Sequence, residues 1–269
     1  GATDDTVAVQ ATINRVIARG GGEVFFPKGT YLISAALTVT PASTIKSVAL
    51  RGAGRYTTFI KSNHATANAV TVTDCSGFIM EDLSLSHSAT STGTAIALVG
   101  CYDVRLTNVW VTAAIWKYGI RTTLGAAPGQ YIRATGCSFQ AVGANSCGAL
   151  FESGTDIKLT DCVLAGAGAA FGVGGTAQEI GLKGSYLNTA ATVGSVTIGD
   201  GTGTTVNTGD GGKWVKVTGC HFTGAAANEF RIATTGNLRF HEDNNTFSET
   251  SVTTSDLSDG SYYGSSVWG

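Results

Sequence analysis

The sequence predicts an all-β protein, a single-stranded parallel β-helix closed at one end by an α-helix. Two observations carry this reading. Seven stretches repeat one pattern, FIMEDLSL from Phe78, VRLTNVWV from Val104, IRATGCSF from Ile132, IKLTDCVL from Ile157, IGLKGSYL from Ile180, VKVTGCHF from Val215 and LRFHEDNNTF from Leu238, starting 26, 28, 25, 23, 35 and 23 residues apart. Each alternates apolar and polar residues, breaks at a turn residue and alternates again, which is two short strands meeting at a corner. Recurrence at about 25 residues is the period of a solenoid coil, and a Leu framework of the kind that leucine-rich repeats require is missing. The second observation is composition. Among 269 residues there are 37 Gly and 3 Pro, and only 13% are charged, which excludes disorder and a bundle of charged helices.

From the N-terminus, residues 1–22 read as a cap. Thr3, Asp4, Asp5 and Thr6 are N-cap and first-turn types, Val9, Ile13, Val16 and Ile17 fall on one helical face, and Gly20 to Gly22 end the helix. The acidic pair therefore reads as capping rather than catalytic. Residues 23–248 form the β-helix. Between Leu187 and Lys213 the repeat lengthens, and this Gly/Thr/Asp-rich insert is either a loop edging a groove or an extended corner. Residues 249–269 form a polar tail carrying Tyr262, Tyr263 and Trp268, suited to strap a coil or wrap a neighbouring subunit.

Alignment of the repeats turns the sequence into columns. Val104, Ile132, Ile157, Ile180, Val215 and Leu238 point inward, and the next residues, Arg105, Arg133, Lys158, Gly181, Lys216 and Arg239, point outward as a cation ladder broken once. One position before stand Asp103, Tyr131, Asp156, Glu179, Trp214 and Asn237. Beyond a corner at Asp82, Asn108, Gly136, Asp161, Gly184 and Gly219, the outward column is Ser84, Trp110, Ser138, Val163, Tyr186 and His221, with Leu83, Val109, Cys137, Cys162, Ser185 and Cys220 inside. Of the six cysteines, Cys75 and Cys101 are stacked like Cys137, Cys162 and Cys220; they read as buried free thiols, with an inter-coil bridge sterically allowed.

Several functions are excluded. A formal net charge of -2 argues against nucleic acid held by overall electrostatics, and no apolar run reaches membrane-spanning length. A leader peptide is not seen, which says little about export in a chain open to processing. The four His are scattered and no CxxC occurs, so neither a metal site nor a cofactor is expected.

The opening TDDTVAVQATINRVIARGGGEVFFPKGTYLIS resembles the start of the pectate-lyase-like superfamily of right-handed parallel β-helices, which includes polygalacturonases, polysaccharide lyases, alginate epimerases and bacteriophage tailspikes. The match runs from Thr3 to Ile33, and the Gly-Asp-Gly stretch usual before TDDT is missing. The resemblance implies polysaccharide as partner. It transfers no catalytic residue, because the polygalacturonase signature of paired Asp, downstream His and Arg-x-Lys is absent.

Candidate chemistry follows from the columns. Once the capping, corner and tail acids are set aside, Glu81, Asp103, Glu152, Asp156, Glu179, Asp200 and Asp210 remain, and of these Asp103, Asp156, Glu179 and Glu152, the last behind the apolar run ALF, are the candidates for acid/base work. Arg105, Arg133 and Lys158 suit an acidic polysaccharide; the competing reading is a solvated face of alternating charges. Trp110, Trp116, Lys117, Tyr118 and Arg121 form a candidate sugar platform, or equally an oligomer interface. Among its relatives the short, low-charge chain most resembles a phage tailspike segment. That implies a homotrimer on a virion surface or outside the cell that binds, with or without cleaving, an acidic or neutral bacterial polysaccharide. The alternatives are a free lyase, hydrolase or epimerase, and a non-catalytic shaft.

Overall fold

The computed structural model describes residues 3–41, 47–88, 91–112, 116–143, 145–189, 196–198, 213–224, 230–232, 238–247 and 261–268. It is a parallel β-helix with one N-terminal helix, Thr6–Ala18. Three faces run along its axis. The first stacks, among others, Gly22–Phe26, Val48–Gly52, Phe78–Glu81, Tyr102–Thr107, Gln130–Thr135, Thr155–Thr160, Gln178–Lys183 and Lys213–Thr218, all parallel. The second stacks Ser84–His87, Trp110–Val111, Ser138–Ala141, Val163–Gly166, Tyr186–Thr189 and His221–Gly224. The third, a separate eight-stranded sheet, runs from Leu37–Val39 to Phe230–Ile232.

The corner between the first two faces lies where the sequence places it. Asp82, Asn108, Gly136, Asp161, Gly184 and Gly219 all have φ between 53° and 61°, the left-handed conformation that Gly, Asn and Asp tolerate best. The inward column is equally regular: Leu83, Val109, Cys137, Cys162, Ser185 and Cys220 are all at most 2% exposed. All six cysteines are buried free thiols. Burial pushes the Cys75 and Cys147 thiols up to about 12, which keeps them protonated filler.

The last repeat differs from its sequence alignment by two residues. Trp214 pairs with Arg239, Val215 with Phe240 and Lys216 with His241, so Leu238 sits opposite Lys213 and the cation ladder continues into a histidine. The physical reason is the corner. This register puts Asn244, at φ 53°, where its neighbours carry Gly219 and Gly184, whereas the expected register would require Glu242 there. Asn245 then turns inward beneath Cys220 and accepts its N–H at 2.9 Å while donating to the Val217 carbonyl at 3.1 Å.

The helix covers the open apolar end as predicted, with Val9 and Ile13 buried and Val16 and Ile17 packed on the core. Gly21 ends it at φ 117°, where a Cβ would lie 2.4 Å from the Ser47 carbonyl oxygen. The acidic pair ties this cap to the next strand. Asp4 accepts hydrogen bonds from the Thr6 N–H at 2.9 Å and from the Ser34 hydroxyl, and Asp5 accepts the Leu32 N–H at 3.0 Å. Those bonds, the Ser34 hydroxyl first, hold the Asp4 carboxyl down to about 2.

Most of the long insert lies outside the described residues; its Val196–Ile198 strand joins the third face between Ala169–Val173 and Phe230–Ile232. Of the tail, 249–260 also lies outside them, and Ser261–Trp268 adds a parallel strand to Leu238–Phe247.

Candidate glycan-binding face

The first face carries a small grid of outward positions over three coils. Along Thr155–Thr160 these are Asp156, Lys158 and Thr160; along Gln178–Lys183, Glu179, Gly181 and Lys183; along Lys213–Thr218, Trp214, Lys216 and Thr218. Register aligns Lys158, Gly181 and Lys216 in one row and Thr160, Lys183 and Thr218 in the next. Because Gly181 has no side chain, the surface sinks there into an open depression of about 430 Å³ lined by Lys158, Lys183, Lys216, Thr218 and Asp243. Trp214, 48% exposed, stands one row from it on the Lys216 strand.

The acid column is a second left-handed turn, which the sequence reading missed. Asp103, Tyr131, Asp156 and Glu179 have φ of 50°, 55°, 55° and 53°. Asp fits that conformation; Tyr and Glu seldom do, and each such residue costs on the order of 1–3 kcal/mol, a strain that clusters at functional sites. Tyr131 meets Tyr102 edge to face at 5.1 Å.

Most of the predicted cations are already engaged. Arg105 pairs with Asp103 at 3.4 Å on the surface. Arg133 hydrogen-bonds both the side chain and the carbonyl of Asp156, and Lys158 reaches the same carboxylate at 2.9 Å. Partial burial alone would push the Asp156 carboxyl up, but the hydrogen bonds and charges of Lys158 and Arg133 outweigh it and hold the carboxyl below its ordinary value. A group depressed on folding stabilises the native state above its unfolded pKa and loses that contribution as pH falls through the folded value. Asp156→Asn, which keeps the turn preference, is therefore expected to melt below the parent at pH 7. The gap should close beneath about pH 4, as followed by thermal unfolding across pH; a gap unchanged down to pH 2 would contradict the ion-pair account.

Glu152 is not the isolated acid in an apolar setting that its sequence context suggests. It lies on the third face, one coil from Arg121, and the two pair at 2.5 Å. Asp103 is separated from Asp156 by the whole Tyr131 coil, about 9.6 Å of backbone. Only Asp156 and Glu179 stand on adjacent coils, and Glu179 is exposed.

The predicted aromatic platform is divided by the fold. Trp116 is fully buried, with its ring edge-on to His87 at 4.8 Å, so it is core rather than ligand surface. The alternation of WKYGIR sends Trp116 inward and Lys117 outward. Lys117 and Arg121 lie over the Tyr118 ring at 5.4 and 4.9 Å, a cluster satisfied within the third face. Trp110, on the second face, is half-buried against Tyr56 at 5.1 Å. Sequence reasoning passed over Arg55 and Tyr56 because they precede the aligned repeats; Arg55 donates to Asn108 and to the Gly136 carbonyl, tying its loop across the corner.

Among the described residues no group of three or more His, Cys, Asp or Glu is placed to hold a metal ion. Among them also, no helix is long and apolar enough to cross a membrane.

Comparison with known proteins adds four findings. Residues 1–226 match the family model described as rhamnogalacturonase A/epimerase, pectate lyase-like. Mannuronan C5-epimerase AlgE6 of Azotobacter vinelandii is 37% identical over 101 residues, 34% of this chain and 12% of that protein. In structure, ORF18 of Geobacillus virus E2 superposes on 100% of this chain and 59% of its own, with TM-score 0.68 and 16% identity. Tailspike gp49 of the Acinetobacter baumannii bacteriophage Fri1, described as a capsular polysaccharide depolymerase, superposes on 94% of this chain and 50% of its own, with TM-score 0.64 and 16% identity. The chain thus spans about half the length of these two viral proteins and an eighth of the epimerase.

Proposed function

The chain belongs to the rhamnogalacturonase A/epimerase family of pectate-lyase-like proteins, and from that premise we propose that it is part of a virion-associated, homotrimeric spike whose first face binds a bacterial surface polysaccharide. The observation that carries the binding reading is the open depression at Gly181, flanked by an exposed Trp and by cations. Pyranose rings offer apolar faces to aromatic side chains and hydroxyls to charged ones, and this surface presents both within two coils. The likeness of fold to the Fri1 tailspike supports the virion setting, and the trimer is what the resemblance of the sequence to phage tailspikes implies.

Trp214→Ala is expected to weaken binding to the recognised polysaccharide by roughly 10- to 100-fold, the loss typical of an aromatic anchor. Lys117→Ala, on the third face, should leave binding unchanged. Equilibrium binding to a panel of capsular polysaccharides measures both, and the reverse order of effects would move the site to the third face. A monomeric mass in solution would overturn the spike assembly.

Cleavage is a second reading, favoured by the adjacency of Asp156 and Glu179. Retaining glycoside hydrolysis uses carboxyl groups about 5–5.5 Å apart, and neighbouring coils lie about 4.8 Å apart. Asp156, held ionised by Arg133 and Lys158, suits the nucleophile or stabiliser, and exposed Glu179 the proton donor. New reducing ends that disappear in Glu179→Gln would support hydrolysis; reducing ends with ultraviolet absorbance would indicate a lyase instead, and retained binding without cleavage a receptor module.

A further inference from the structure

We infer that the Gly181 depression is an anion subsite, holding a negatively charged substituent of the glycan, a carboxylate or a phosphate, between Lys183 and Lys216. The inference rests on the glycan-binding reading of the same face and names the chemistry recognised there. Charge complementarity is the first support. At Asp103 and Asp156 the acid column neutralises Arg105, Arg133 and Lys158. At the next coils it does not: Glu179 and Trp214 take the acid positions, and none of the ion pairs among the described residues involves Lys183 or Lys216. The rim therefore holds three lysines against Asp243, with Lys158 already shared with Asp156.

The shape of the hollow is the second support. Lys158 and Lys216 are two coils apart with Gly181 between them, about 9.6 Å of backbone, so the row that Lys216 borders is left open at Gly181, where Lys183 stands two residues along the same strand. The backbone does not require glycine there. A Cβ at Gly181 would meet the Lys158 Cγ at 3.4 Å and the Ile157 carbonyl oxygen at 4.0 Å, both ordinary contacts. A side chain fits sterically and would fill the hollow, so the glycine accounts for the hollow rather than for the fold. Like charges at neighbouring rungs repel, and an anion between them relieves that cost.

Side-chain NMR of protein labelled at the lysine Cε, titrated with glucuronate, glucose 6-phosphate and glucose, tests the inference. The Lys183 and Lys216 signals, assigned by Lys183→Gln and Lys216→Gln, are expected to shift with an anionic sugar and not with glucose, and Gly181→Leu should abolish the shift. A response to glucuronate alone assigns a carboxylate, and to the phosphate alone a phosphate. Equal shifts with glucose, or anion shifts at exposed Lys28 and Lys117 as large as those at Lys183 and Lys216, would overturn the subsite. On an acidic polymer that the protein binds, each Lys→Gln change is expected to cost roughly tenfold in affinity. Polymer binding that needs Trp214 but ignores both lysines would leave the glycan-binding reading standing and remove this one.

Discussion

Phe139→Ala is expected to destabilise the protein by about 3–5 kcal/mol, the cost of emptying a large aromatic site that cannot collapse. Phe139 is fully buried on the second face, in the inward column between Val111 and Leu164. Third-face backbone closes around it: a Cβ at Gly119 would sit 3.0 Å from the Phe139 Cβ, and one at Gly148 would sit 2.8 Å from its carbonyl oxygen. Those glycines have no side chains with which to fill a void, so the transfer and cavity costs add. Urea unfolding should show the loss as a lower midpoint at unchanged slope. Val163→Ala, half-buried in the outward column one coil on, should change stability by less than about 1 kcal/mol. Equal effects of the two variants would mean that this column is not the core.

Gly166→Ala should cost about 3 kcal/mol despite adding a single methyl group. The new Cβ would lie 1.9 Å from the Ala169 carbonyl oxygen and 2.8 Å from that of Ser146, both of them backbone atoms. No rotamer relieves such a contact, and overpacking of this kind costs about 1–3 kcal/mol or more. Opening the turn would also strain the hydrogen bond from the Thr189 hydroxyl to the Gly166 carbonyl, 2.9 Å long. Gly181→Ala, on the outer surface, should be close to neutral, and thermal unfolding of the pair separates a packing glycine from one that shapes a surface. A neutral Gly166→Ala would show that the corner relaxes freely.

The site was only partly legible in the sequence. The columns that name Asp156, Lys158, Glu179 and Trp214 follow from period-2 alternation repeated at coil length, and the register reproduces them from Arg105 to Lys216. Their partners do not follow. That Arg133 and Lys158 share Asp156 depends on side chains crossing between coils, and that Trp116 is core depends on which phase of WKYGIR the third face adopts. Gly181 was visible as a break in the cation ladder, and only the folded surface shows that the break is a hollow.

The repeat determined the parallel β-helix, its Gly/Asn/Asp corner and its Val/Ile/Leu/Cys interior, because each depends on local alternation and on residues that tolerate left-handed backbone, and the helical spacing of Val9, Ile13, Val16 and Ile17 determined the capping helix. Tertiary structure alone decided the register of the last coil, the left-handed acid column and which lysines stay outside the ion pairs among the described residues. Those depend on which side chains from neighbouring coils meet, at distances that no single repeat encodes.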